Sequence, residues 1–174
     1  MAKLEILLIE DSEAHAELVR RSLAETGASI TLFPSLSKAR VWLAEHKPDL
    51  VLSDLQLLDG TAINLLADYA HGVPWPVIVM TGHGDETLAV SSIKAGALDY
   101  VVKSPESIRH MPRTIERALR EWTRMLEHRS TQKALLASEE RLRLAMEATS
   151  DGLWDWDLTT DEVYWSARSY TMLG

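Results

Sequence analysis

Leu4-Glu5-Ile6-Leu7-Leu8-Ile9-Glu10-Asp11-Ser12 is a short apolar run closed by an acidic pair and a serine. An apolar stretch of that length fits a strand covered on both faces. Ser12 is a good helix N-cap. The positions Ala14, Leu18, Val19 and Leu23 follow it at helical spacing, and Gly27 ends the helix.

The same unit recurs outward along the chain. Residues 29–33 read as a second strand, and Ser37 to Glu45 as a second helix before Lys47-Pro48. Leu50 to Ser53 is a third strand that ends at Asp54. A loop with Asp59-Gly60 leads to a helix near 61–70, and Pro74-Trp75-Pro76 breaks the chain. Val77 to Met80 is a fourth strand ending at Thr81. A helix over 85–95 is stopped by Gly96, and Asp99 to Val102 is a fifth strand ending at Lys103. Strands alternating with helices predict an open, parallel, doubly wound α/β sheet. Such sheets bind ligands at the carboxyl ends of their strands. Glu10, Asp11, Asp54, Thr81 and Lys103 all fall at those ends, and that convergence outweighs any one motif.

Composition bounds the class. The 174 residues are 46% hydrophobic and 25% charged, as in an ordinary globular protein. Cysteine is absent, which excludes disulfides and thiolate metal sites. No signal peptide or membrane span is read, so a cytoplasmic location without membrane contact is expected. A net charge of −8 argues against a nucleic-acid partner for this stretch.

The runs Leu-Leu-Ile-Glu-Asp-Ser (7–12), Leu-Val-Leu-Ser-Asp-Leu-Gln-Leu (50–57), Val-Ile-Val-Met-Thr-Gly-His-Gly-Asp-Glu (77–86) and Lys-Ala-Gly-Ala-Leu-Asp-Tyr-Val-Val-Lys (94–103) resemble the receiver domain of two-component response regulators. The resemblance covers roughly residues 4–122. It implies a flavodoxin-like five-stranded parallel sheet of order 2-1-3-4-5. It also implies that Asp54 accepts a phosphoryl group from a histidine kinase or a histidine phosphotransfer protein. Asp11, Asp54 and the Gln56 backbone carbonyl would ligate Mg2+, with Glu10 direct or through water. Lys103 would pair with Asp54 and then with the phosphoryl group, which Thr81 would also meet. Tyr100 would follow Thr81 as a switch. Two positions depart from the family's pattern. Leu58 stands where proline is usual, and Ser104 follows Lys103 with Pro105 one residue later. An alternative reading is therefore a degenerate receiver acting as a constitutive dimerisation or docking module. A phosphatase of Asp-x-Asp type is disfavoured by Gln56.

From Ser107 the pattern is helical to about Thr149, with Pro112 tolerable only in a first turn or at a kink. Ile115, Leu119, Trp122 and Leu126 form one seam. Leu135, Leu142, Met146 and Thr149 form another, and a stutter or break is expected at Arg129–Lys133. A parallel homodimer through this linker is one expectation; packing of residues 115–126 on their own domain is the other. Glu140 to Leu158, with the following Val163-Tyr164-Trp165-Ser166, resembles the start of a PAS sensory domain, with a hairpin turn at Thr160-Asp161. The expected organisation is a receiver over 1–122, a coiled-coil-like helical linker over 123–149 and a truncated PAS start over 150–174. On this reading the chain is a fragment and no turnover enzyme, with a histidine kinase or diguanylate cyclase as an output by analogy. His15, His46, His71, His83, His110 and His128 carry no assigned role.

Overall fold

The computed structural model describes residues 3–69, 72–82, 84–148, 154–165 and 169. The chain divides into two compact units, Met1–Arg124 and Met125–Gly174.

The first unit follows the alternation of the sequence. Its order is β1 (Glu5–Ile9), α1 (Glu13–Leu23), β2 (Ser29–Phe33), α2 (Leu36–Leu43), β3 (Leu50–Asp54), β4 (Gln56–Leu57), β5 (Gly60–Thr61), α3 (Ala62–Ala67), β6 (Val77–Thr81), α4 (Glu86–Lys94), β7 (Asp99–Val102), α5 (Pro105–Arg109) and α6 (Met111–Ala148), of which residues 111–124 belong to this unit. The sheet is parallel in the order β2-β1-β3-β6-β7, so the expected 2-1-3-4-5 topology is observed with β6 and β7 as its fourth and fifth strands. The two-residue β4 and β5 pair with each other, a hairpin the sequence does not announce.

Alternation along the strands divides the core in two. Ile6, Leu8, Leu50, Leu52, Ile78 and Met80 face one side, where Ala16, Val19 and Leu23 of α1 and Met111, Ile115 and Ala118 of α6 cover them. Leu7, Ile9, Val51, Val77 and Val79 face the other, beneath Leu36, Ala39 and Leu43 of α2 and Leu65 and Leu66 of α3. Each fully buried aliphatic side chain contributes roughly 1.5–3 kcal/mol. The buried stripe of α1 runs through Ala16, not through Ala14 or Leu18; Leu18 is exposed.

Side-chain caps fix most helix starts. Ser12 accepts from the His15 amide in α1, Ser35 from the Lys38 amide in α2, and Ser104 from the Ser107 amide in α5. Thr61 and Asn64 form a capping box on α3. At α4 the N-cap is Asp85, and its carboxylate makes no cap bond.

The helical region expected from Ser107 is two helices, α5 and α6, separated at His110. Ser104 and Pro105 supply a cap and an N1 proline, which start α5 two residues early. Pro112 lies second in α6, where its missing N–H has no helical partner to lose. Ile115 is buried on the sheet, and Leu119 and Trp122 pack against the two core clusters, so these three serve their own domain, while Leu126, the fourth of the seam, is exposed. The helix runs unbroken through Arg129–Lys133.

In the second unit, Leu126, Leu135, Leu136, Leu142 and Leu144 are exposed along α6. Thr149 lies outside the described residues. Beyond it, β8 (Trp154–Asp157) and β9 (Glu162–Trp165) form an antiparallel hairpin. The Asp157 carboxylate accepts from the Thr159 and Thr160 amides, and Asp161 takes a left-handed φ of 59°, so the turn lies where the sequence placed it. The Trp154 and Trp165 rings pair at 6.3 Å, yet both are exposed.

Candidate functional site

The carboxyl ends of β1, β3, β6 and β7 bring the charged residues together. Oxygen atoms of Glu10, Asp11 and Asp54 lie within 4.8 Å of one another. Such a group of acids is repulsive unless cations enter it. Lys103, one residue beyond β7, reaches in from the sheet's edge. Its Nζ lies 2.7 Å from Asp54 Oδ2 and 2.8 Å from Glu10 Oε2. The approach to Glu10 is off the hydrogen-bonding direction, so that contact is charge–charge. Glu10 is 2% exposed and Asp54 9%, so these attractions act in a poorly solvated pocket. Three carboxylates facing one ammonium leave a surplus of two negative charges. The donor set is all hard oxygen, which fits a divalent cation such as Mg2+.

The backbone fixes these positions. The Lys103 amide donates to the Thr81 carbonyl at 2.7 Å, which ties the ammonium's residue to the end of β6. The Leu55 amide donates to the Met80 carbonyl at 2.8 Å and holds the turn after Asp54. The Ser53 hydroxyl donates to the Asp54 carbonyl. Thr81 is buried beside this edge, while Tyr100, on β7 opposite Val79, is 39% exposed. Gln56 follows on β4, and its side-chain amide donates to Asp85 Oδ1 at 3.3 Å.

The two departures from the pattern have local accounts. Leu58 occupies the tip of the β4–β5 hairpin and is 92% exposed. Ser104 caps α5, and Pro105 begins it. No peptide bond among the described residues is cis.

Two participants escape a reading of the sequence. His15 Nδ1 is buried 3.6 Å from Glu10 Oε1 and has no hydrogen bond. The signal was its place at N3 of α1, since helical side chains lean toward the amino terminus. Asp59 is the other. Its carboxylate accepts from the Leu36 and Ser37 amides at 2.9 Å each and so anchors the β4–β5 hairpin to α2. Those amides hold its carboxyl below the usual range. His71 and His83 lie outside the described residues.

A family model for the response regulator receiver domain matches residues 6–115. The chain belongs to this family. Among curated relatives of this receiver, the methanogenesis regulatory protein FilR1 of Methanothrix harundinacea is 36% identical over 124 residues, covering 68% of this chain and 28% of FilR1. The KDP operon transcriptional regulatory protein KdpE of Escherichia coli is 31% identical over 115 residues, covering 66% of this chain and 51% of KdpE. The receiver chain therefore spans well under two thirds of either relative. Full-length FixJ from B. japonicum superposes with a TM-score of 0.67 at 29% identity, covering 79% of this chain and 68% of FixJ. Among the described residues no helix is long and apolar enough to cross a membrane.

Proposed function

We propose that this receiver is a phosphorylation switch in which Asp54 takes a phosphoryl group from a histidine kinase or a histidine phosphotransfer protein. In the transfer, the donor's N–P bond breaks as an Asp54 oxygen bonds to phosphorus, and the donor imidazole regains a proton from solvent. The observation that supports this reading is Lys103 bridging Asp54 and Glu10 beside Asp11. Lys103 balances the Asp54 carboxylate before transfer and a phosphoryl oxygen after it. Thr81 offers its hydroxyl to the same group. Asp11, Asp54 and the Gln56 carbonyl, with Glu10 adjacent, would hold Mg2+, which supplies charge neutralisation on the phosphoryl oxygens.

The dianionic product carries roughly −1.5 to −2 charge. Thr81 moves toward it, and Tyr100 turns inward from its exposed position. The change passes along α6 to a PAS domain that begins near residue 150 and to an output beyond it. The receiver then spans 1–122 and the linker 123–149, with exposed leucines of the linker paired in a parallel homodimer. The Trp-rich hairpin β8–β9 is what supports the PAS reading.

The test is incubation of the chain with Mg2+ and acetyl phosphate, read by intact mass. Uptake of one phosphoryl group, lost in Asp54→Asn and without Mg2+, is the expected result. No uptake under conditions that label a known receiver would favour the degenerate docking module instead.

A further inference from the structure

The cap missing at α4 and the bond from Gln56 belong to the same carboxylate. Asp85 stands at the N-cap position with φ −94° and ψ 21°, outside the extended geometry of the caps at Ser12, Ser35, Thr61 and Ser104; with ψ turned to extended, its carboxylate would satisfy an amide of the first turn and meet the positive end of the helix dipole. Its Oδ1 instead accepts from Gln56 Nε2, across the carboxyl ends of the neighbouring strands β3 and β6. Its Oδ2 lies over Gly82, where an added Cβ would come within 3.3 Å. Asp85 is thus turned back toward the loop after Thr81 and away from the amides it could cap. Gln56 is two residues from Asp54.

We propose that Asp85 is a phosphorylation-sensitive positioning residue with two seats, the Gln56 amide and the amino terminus of α4. Charge decides between them. With Asp54 as a monoanion paired to Lys103, Asp85 remains on Gln56. With Mg2+ bound before and after, a phosphoryl dianion in place of the Asp54 monoanion leaves these strand ends about one charge more negative and repels a second carboxylate. The α4 amides are the nearby alternative, and they favour negative charge. Phosphorylation thereby caps α4 and orders its first turn. The inference rests on the proposed role of Asp54, but the seat exchange can be tested without it.

The experiment is amide hydrogen exchange at Thr87 and Leu88 with Mg2+ in every sample, with and without beryllofluoride, with 19F resonance of bound fluoride as the binding control. In Gln56→Ala, with Mg2+ and no beryllofluoride, Asp85 loses its outer partner and falls back on the helix. Exchange at these amides should slow about fivefold, the effect of an ordinary cap. In the unsubstituted chain, beryllofluoride should give a comparable slowing. Asp85→Asn keeps the hydrogen-bonding shape without the charge, and should bind the additive with no slowing. Unchanged exchange in Gln56→Ala, or an Asp85→Asn response equal to that of the unsubstituted chain, overturns the proposal. Absence of a bound-fluoride signal would count against Asp54 as acceptor, and the Gln56→Ala result would still decide the seat exchange.

Discussion

The two units spend their polar and apolar residues in opposite ways. The first packs two aliphatic cores on the two faces of one sheet, leaving a few aliphatics such as Val41 and Leu58 outside, and gathers charge into a pocket at the strand ends. The second exposes its leucines along α6 and its tryptophans on β8–β9, and its charges sit on the surface. An ion pair in one is therefore a different object from an ion pair in the other. Lys103 with Asp54 and Glu10 works where water is scarce. Arg143 with Glu140, one helical turn apart, works in water and is screened by it. The first unit gathers a charged site by itself, whereas the second leaves its large apolar side chains on the surface.

The largest expected effect is on chemistry. Asp54→Asn should bring phosphoryl uptake to background in the mass assay, with the fold intact by circular dichroism. Next comes packing. Leu52→Ala, in the middle of β3, should cost roughly 2–5 kcal/mol in denaturant unfolding. Leu135→Ala should leave the unfolding of the first unit unmoved. If Leu135→Ala also lowers the concentration-dependent molar mass in sedimentation, the linker dimer is supported; a chain monomeric at every concentration would remove it.

Lys103→Met sharpens the contrast between the two kinds of ion pair. It leaves Glu10 and Asp54 facing each other without compensation, and should destabilise the first unit by about 3 kcal/mol, the lower range for breaking a buried pair. Mg2+ should restore part of that loss, because the cation site is then more negative. Glu140→Gln should not move the denaturant midpoint at all. Equal sensitivity of the two variants would show that the pocket is wetter than its burial implies.

What could be read without coordinates follows the range of the forces involved. The five long strands were legible because each is a short apolar run ended by a polar residue. The cluster at their ends was legible because parallel strands place those ends together. The hairpin of β4 and β5 was not, since two-residue strands carry no periodicity. The α1 stripe runs through Ala16, Val19 and Leu23, an i, i+3, i+7 set, and Ala14 and Leu18 lie off it. Gln56 meeting Asp85 and Asp59 meeting α2 join residues 29, 23 and 22 positions apart. Such contacts exist only after the sheet has formed. The helical character of residues 105–148 was legible in the pattern, but the early start of α5 came from the Ser104 cap and Pro105, the interruption at His110 falls just before Pro112, which has no N–H to continue a helix, and the break expected at Arg129–Lys133 is not there.

The smallest expected effect tests whether that non-local cap matters. Asp59 holds the amino terminus of α2 through two backbone amides, so its carboxyl is more acidic folded than unfolded. A lowered folded pKa means that the unfolded chain binds the proton more readily. The stabilisation is therefore full above the unfolded value, near 3.8, and disappears as pH falls through the lower folded value. Asp59→Ala should be less stable than the unsubstituted chain at neutral pH, and the two unfolding curves should converge below about pH 3.8. Asp157 has the same chemistry in the second unit, where the Thr159 and Thr160 amides lower its pKa inside a single turn. Asp157→Ala should alter only the hairpin, because its partners are two and three residues away and no other element depends on them. If Asp59→Ala proved equally local, with exchange at α2 unchanged, the hairpin beyond Asp54 would be held by Leu57 and Gly60 packing alone.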